Sequence, residues 1–191
     1  MRMTFDVVAD LCRLYPERVR RVAGAGHEIA CHGWRHERPR DLAPAALEQM
    51  LEETIACFGE IGLRPAGFRS PESAWSTRLV KRLAAYGYAW NAERDASPSP
   101  YRISGSLVRV PVRTDDWDLA DRSADGARVI GKWRDEVQDA VDSGGVVSLG
   151  MHEWIVGRDG EFASRLDAFL GELRSDERIE LKTLGGADAT A

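Results

Sequence analysis

His32 and His36 stand four apart in Gly26-His27-Glu28-Ile29-Ala30-Cys31-His32-Gly33-Trp34-Arg35-His36, a segment holding three of the chain's four histidines. Imidazoles at that spacing can grip one divalent metal ion if the backbone is helical there, or turns just after a strand. Two neutral imidazoles do not fill a zinc site. A catalytic site adds a third ligand, usually a carboxylate, and an open position for water. Such a metal polarises a carbonyl and lowers the pKa of bound water. The plainer alternative is a pair of surface or core histidines beside Trp34. Gly33, which lets the backbone approach a ligand closely, favours the metal. No carboxylate-rich strand precedes the pair.

The fourth histidine, His152, follows the apolar run Val146-Val147-Ser148-Leu149-Gly150-Met151. Imidazole changes charge near neutrality, which makes it a candidate general acid or base. Asp115 or Asp116 could accept a hydrogen bond from its far ring nitrogen and fix its tautomer; a solvated Asp-Asp-Trp turn is the alternative. Arg69, before Ser70-Pro71, could pin a catalytic carboxylate or make a surface ion pair. Trp75, Trp117 and Trp154 fall in loops after expected strands. They could wall a groove that stacks on sugars or planar amides, or belong to ordinary core. Pro71 joins them as a candidate substrate contact. Cys31 is a conceivable thiolate ligand, but strand alternation sends neighbouring side chains to opposite faces. His27 stands at the start of the strand that His32 ends, so it reads as a structural hydrogen-bonding group.

Alternating strands and helices must position these groups. The patterning predicts strands at 4–8 (buried), 27–31, 67–69, 88–91, 107–112, 146–151 and 179–183. Helices are expected over 15–22, from Asp41 as cap through Leu47, Leu51, Ile55 and Phe58 as core, and over 77–86, 129–141 and 162–173. Residues 97–105 and 115–126 read as loops. Residues 185–191 read as a frayed tail. The alternation points to a mostly parallel α/β architecture in one domain, 1–184.

With 191 residues, 43% hydrophobic and 30% charged, the chain is long enough for a real core. A net charge of -5 with no basic block argues against a nucleic-acid partner. No apolar run approaches the roughly 20 residues of a membrane span, and Asp6 interrupts the only N-terminal apolar stretch, so a cytoplasmic protein is expected. The three cysteines form no Cys-x-x-Cys pair and fit reduced core thiols.

In order, Gly26-His27-Glu28-Ile29 leading to His32-Gly33-Trp34-Arg35-His36, then Gly67-Phe68-Arg69-Ser70-Pro71, Asp115-Asp116-Trp117 and Leu149-Gly150-Met151-His152 resemble the polysaccharide deacetylase family. It is also called the NodB-homology or carbohydrate esterase 4 family. The resemblance runs from about Met3 to Leu184. Ser99-Pro100-Tyr101-Arg102-Ile103 and Leu107 to Val112 are most similar to its allantoinase-like and peptidoglycan-deacetylase-like branch. Where that branch commonly has proline after the histidine, this chain has Glu153.

The resemblance implies a distorted (β/α) barrel and a metal-dependent hydrolase of carbon–nitrogen bonds, an N-deacetylase of an acetylated amino sugar or related small amide. It makes His32 and His36 ligands of a divalent metal, Zn²⁺ first, and His152 the acid that protonates the leaving amine. Asp116, or else Asp115, tunes that acid, and Arg69 orients the base. The family opens with a strand ending in two aspartates, or Asp-x-Asp, the base and the third metal ligand. Thr4-Phe5-Asp6 mimics that motif but matches the family's second strand. The first strand and its carboxylates are therefore expected to be missing, leaving unpaired backbone edges and a truncated form with little activity. Two alternatives stay open: a non-catalytic carbohydrate- or partner-binding descendant, and a metal-independent, allantoinase-like amidohydrolase. Substrate, metal and oligomeric state are left open.

Overall fold

A computed structural model describes residues 1–121 and 123–187. They fall into two compact units: 1–93 with 100–110 and the C-terminal stretch from Lys182, and 94–99 with 111–181. Among the described residues, no helix is long and apolar enough to cross a membrane.

The first unit is built on parallel β-α-β steps. Strand β1 (Thr4–Val7) leads through helices α1 (Asp10–Leu14) and α2 (Pro16–Gly24) to β2 (Glu28–Cys31). Pro16 opens α2, where its missing N–H costs nothing. Helix α3 (Pro44–Glu60) precedes β3 (Gly67–Arg69), and α4 (Thr77–Ala85) precedes β4 (Trp90–Arg94). The strands β5 (Tyr101–Ser104) and β6 (Leu107–Val112) pair antiparallel. The six-stranded sheet runs β1-β2-β3-β4-β6-β5, with β1 to β4 mutually parallel. Its core gathers Ile29, Cys31, Leu47, Leu51, Phe58, Phe68, Leu79 and Leu83.

Several expectations change here. Residues 97–105 are not all loop: the Pro/Ser signal ends at Pro100, and Tyr101–Ser104 pairs with β6. Asp41 does not cap α3. Pro44 takes the first helical position, so the cap moves to Ala43, and Asp41 closes a 3₁₀ turn, Pro39–Asp41. Ile55 is 38% exposed; it lies roughly 100° around α3 from the centre of the buried stripe. Phe5 of β1 also faces outward, edge-on to His27 at 5.1 Å. His27 Nδ1 accepts the Met3 N–H at 3.2 Å, the structural role expected of it.

In the second unit, β7 (Thr114–Asp115) pairs parallel with β8 (Leu149–Gly150). Helices α5 (Trp117–Ala120), α6 (Gly126–Ser143), α7 (Glu153–Arg158) and α8 (Gly160–Ser175) surround a core of Leu119, Ile130, Trp133, Ile155, Phe162 and Phe169. Asp125 and Asp159 cap α6 and α8 by accepting the N–H groups of Arg128 and Phe162. The segment 115–126 is thus not one loop, since it holds α5. The strand expected at 146–151 shrinks to Leu149–Gly150, and 179–183 forms no strand. In the first unit, Leu184–Gly186 forms a 3₁₀ turn, so the start of the expected frayed tail is held. Residues 188–191 of that tail lie outside the described residues.

Candidate functional site

The chain turns at once after β2. His32 N–H donates to Val7 O at 2.9 Å, still in the register of β1. Gly33 then takes φ +76°, a conformation that favours glycine. Glu37 accepts the N–H groups of Trp34 and Arg35 at 3.2 and 2.8 Å, closing the turn. His36 sits at φ +69°, left-handed for a non-glycine residue. The result brings the His32 and His36 rings together, centroids 5.1 Å apart and edge to face. His32 Nδ1 lies 2.9 Å from the carbonyl oxygen of Arg69, at the end of β3. A carbonyl only accepts, so Nδ1 carries a proton, and in the neutral ring the lone pair is on Nε2.

Arg69 extends to Asp6 on β1, Nη1 to Oδ2 3.7 Å. The side chain expected to orient the base therefore pairs with the residue that mimics the family's first motif. Beyond Arg69, Ser70 and Pro71 are buried, and Glu72 and Ser73 follow at φ +54° and +51°. With His36 these are the only left-handed non-glycine residues among those described, all in the exits of β2 and β3. Strain of this kind clusters where loops are held for function.

Glu93, at the end of β4, escaped the sequence reading. It is 0% exposed. Its Oε1 accepts from Ser70 Oγ at 2.5 Å, Asn91 Nδ2 at 2.9 Å and Ser70 N–H at 3.1 Å. Its Oε2 is buried without a hydrogen-bond partner. Burial pushes the carboxyl above its ordinary value, against those three donors and the Arg109 charge. The polar pair Asn91 and Glu93, alternating with the apolar Trp90 and Ala92 in β4, was the available signal. One face of Trp75 is covered: the buried Arg109 guanidinium lies 4.3 Å over its ring. Cys31 is fully buried, and burial pushes its thiol up to about 12.

In the second unit, β7 and β8 bring Asp116 to His152. Asp116 is 0% exposed. Its Oδ1 takes His152 Nδ1 at 2.6 Å and its Oδ2 takes the His152 backbone N–H at 2.9 Å. The ring is thereby fixed with Nε2 outward. Asp115 does not share this task. It pairs with Arg94 at 2.5 Å and accepts the Trp117 N–H at 3.1 Å. Trp117 and Trp154, 47% and 43% exposed, flank His152 with centroids 5.2 and 6.2 Å from its ring.

Comparison with known proteins bears on these arrangements. A family model for polysaccharide deacetylases matches residues 1–90. A solved structure of a candidate polysaccharide deacetylase from Mycobacterium smegmatis is 31% identical, with a TM-score of 0.86 over 95% of this chain and 68% of that one. This chain belongs to the polysaccharide deacetylase family. Its α/β fold is that of these deacetylases, the NodB type with its (β/α) barrel architecture, and puue allantoinase shares it at 20% identity and TM-score 0.79, over 95% of this chain and 65% of that one. A peptidoglycan deacetylase of Helicobacter pylori is 23% identical over 109 residues, 54% of this chain. The chain spans 37% of that relative's length.

His32 and His36, their rings side by side, are the residues expected to hold a divalent ion. Their chemistry fits, since His32 already has its proton on the nitrogen facing away from a ligand. Among the described residues, no group of three or more His, Cys, Asp or Glu could hold a metal.

Proposed function

We propose that this chain carries the metal-binding histidines and the general acid of a hydrolase that removes an acyl group from an amide nitrogen. The substrate class is an N-acetylated amino sugar or a related small amide. The observation that carries this reading is the double hydrogen bond of buried Asp116 to His152. A carboxylate so committed holds the imidazole in one tautomer and stabilises its protonated form, leaving Nε2 to give a proton to a departing amine. His32 and His36 would hold the divalent ion, Zn²⁺ first, through nitrogen lone pairs. When bound, that ion supplies Lewis-acid polarisation of the acyl carbonyl and acidifies water. Trp117 and Trp154 give sugar faces an apolar wall beside the acid.

The test separates ligands from acid. His32→Ala and His36→Ala should each weaken Zn²⁺ binding at least tenfold in competition with a chromophoric chelator. His152→Ala should leave Zn²⁺ binding unchanged and lower acetate release from chito-oligosaccharides by about 10²- to 10⁴-fold. Wild-type zinc affinity in His32→Ala would overturn the ligand assignment. A binding module is the second reading, favoured by the exposed, edge-to-face Trp117 and Trp154 pair at 6.2 Å. It predicts saturable tryptophan fluorescence changes with chito-oligosaccharides and no acetate release from any of them.

A further inference from the structure

A fully buried carboxylate with one oxygen triply bonded and the other unpartnered calls for an explanation. Pinning β3 to β4 needs no charge, because Asn91 already does so by donating to Phe68 O at 3.0 Å. The explanation lies in which atoms Glu93 and His32 share. His32 Nδ1–H donates to the carbonyl of Arg69, and Glu93 accepts the N–H of Ser70. That carbonyl and that N–H are the two ends of one planar amide.

We propose that Glu93 is a positioning residue for His32, acting through the peptide group between Arg69 and Ser70. A carboxylate drawing on the N–H polarises the amide and makes its oxygen a stronger acceptor. The stronger acceptor holds the proton on His32 Nδ1, aims the ring and raises the donor strength of Nε2. Metal-bound histidines commonly receive this service from a carboxylate or a carbonyl in direct contact. Here a carbonyl makes the contact and a carboxylate stands behind it. The Ser70 hydroxyl and the Asn91 amide hold Glu93 Oε1 at the N–H, at 2.5 and 2.9 Å. The proposal rests on the reading of His32 as a metal ligand.

The experiment uses the full chain, metal-free and labelled with ¹⁵N-histidine, at a pH where the rings are neutral. Imidazole ¹⁵N shifts report the tautomer of each histidine, and His32→Ala supplies the assignment. In the wild type His32 should be the Nδ1–H form. Glu93→Gln keeps the size of the side chain and removes its charge. It should raise the Nε2–H population of His32, leave His36 unchanged, and weaken Zn²⁺ binding by about 10- to 100-fold. Ser70→Pro, compatible with the Ser70 φ of −74°, deletes the N–H together with the hydroxyl, and so both of Ser70's hydrogen bonds to Glu93; it should shift the tautomer in the same direction. A purely structural Glu93 would change stability and leave tautomer and zinc affinity at wild-type values, which overturns the proposal. A wild-type His32 in the Nε2–H form overturns it even if neither variant folds. If His32→Ala binds zinc like the wild type, the ligand reading fails, while the metal-free tautomers still judge the relay.

Discussion

Asp116 has both carboxylate oxygens on one residue, His152, and no exposure to water. An amide there would keep the shape and set an N–H₂ or a weaker acceptor against Nδ1. Asp116→Asn should therefore lower acetate release by about 10²- to 10⁴-fold with little change in zinc affinity. Glu93 makes a different prediction, in pH. Its folded-state carboxyl is raised above the ordinary 4.5 by burial. The stability that goes with its protonated form is complete below 4.5 and is lost as pH climbs through the raised value. Glu93→Gln carries no such loss, so the gap in urea midpoint between variant and wild type should move in the variant's favour as pH rises from 4. A gap that stays constant with pH would contradict the burial argument. His32, His36 and His152 were legible because few histidines occur and each follows a strand. Which aspartate serves His152 was not legible, because the strand ends between them, Asp115 closing β7 and Asp116 preceding α5, and the sequence does not mark that boundary. Glu93 was harder to read, because the side-chain pattern does not show that one of its partners is the Ser70 backbone N–H.

At the scale of elements, Gly67 on β3 lies under the Trp90 ring of β4. A Cβ there would sit 1.9 Å from the indole. Trp90 is also tied by its Nε1–H to Glu28 at 3.1 Å, so the ring cannot swing away freely. Gly67→Ala should destabilise the fold by about 1–3 kcal/mol by overpacking, read as a lower urea midpoint with unchanged slope. The long helices were legible from their period: α3, α4, α6 and α8 fall within a few residues of expectation. Elements defined by a partner rather than by themselves were not. Strand β5 hides behind a Ser/Pro run, and β8 is two residues long and exists only through β7. The apolar alternation at 179–183 forms no strand and stays irregular.

For the whole molecule, the three cysteines make the simplest prediction. All are buried and free, and desolvation raises each thiol, Cys12 and Cys31 to about 12. A disulfide reagent should titrate essentially none of them in the native protein at pH 8 and three in guanidinium; a fast native thiol would contradict the packing of the first core. The 3₁₀ turn at Leu184–Gly186 has a different kind of consequence. Leu184 N–H donates to Thr4 Oγ1 across 180 residues of sequence, and Gly185 N–H donates to Glu28 across 157. The first unit is therefore interrupted in the order of synthesis: its strands emerge early, and its closing turn follows only after all of residues 111–181. At ribosomal speeds that delay is roughly 4 to 14 s. During it the hydroxyl of Thr4 and the carboxylate of Glu28 wait on an unfinished sheet. A chain ending before Lys182 lacks both of those hydrogen bonds, so its β1 and β2 should yield to protease faster than in the full chain.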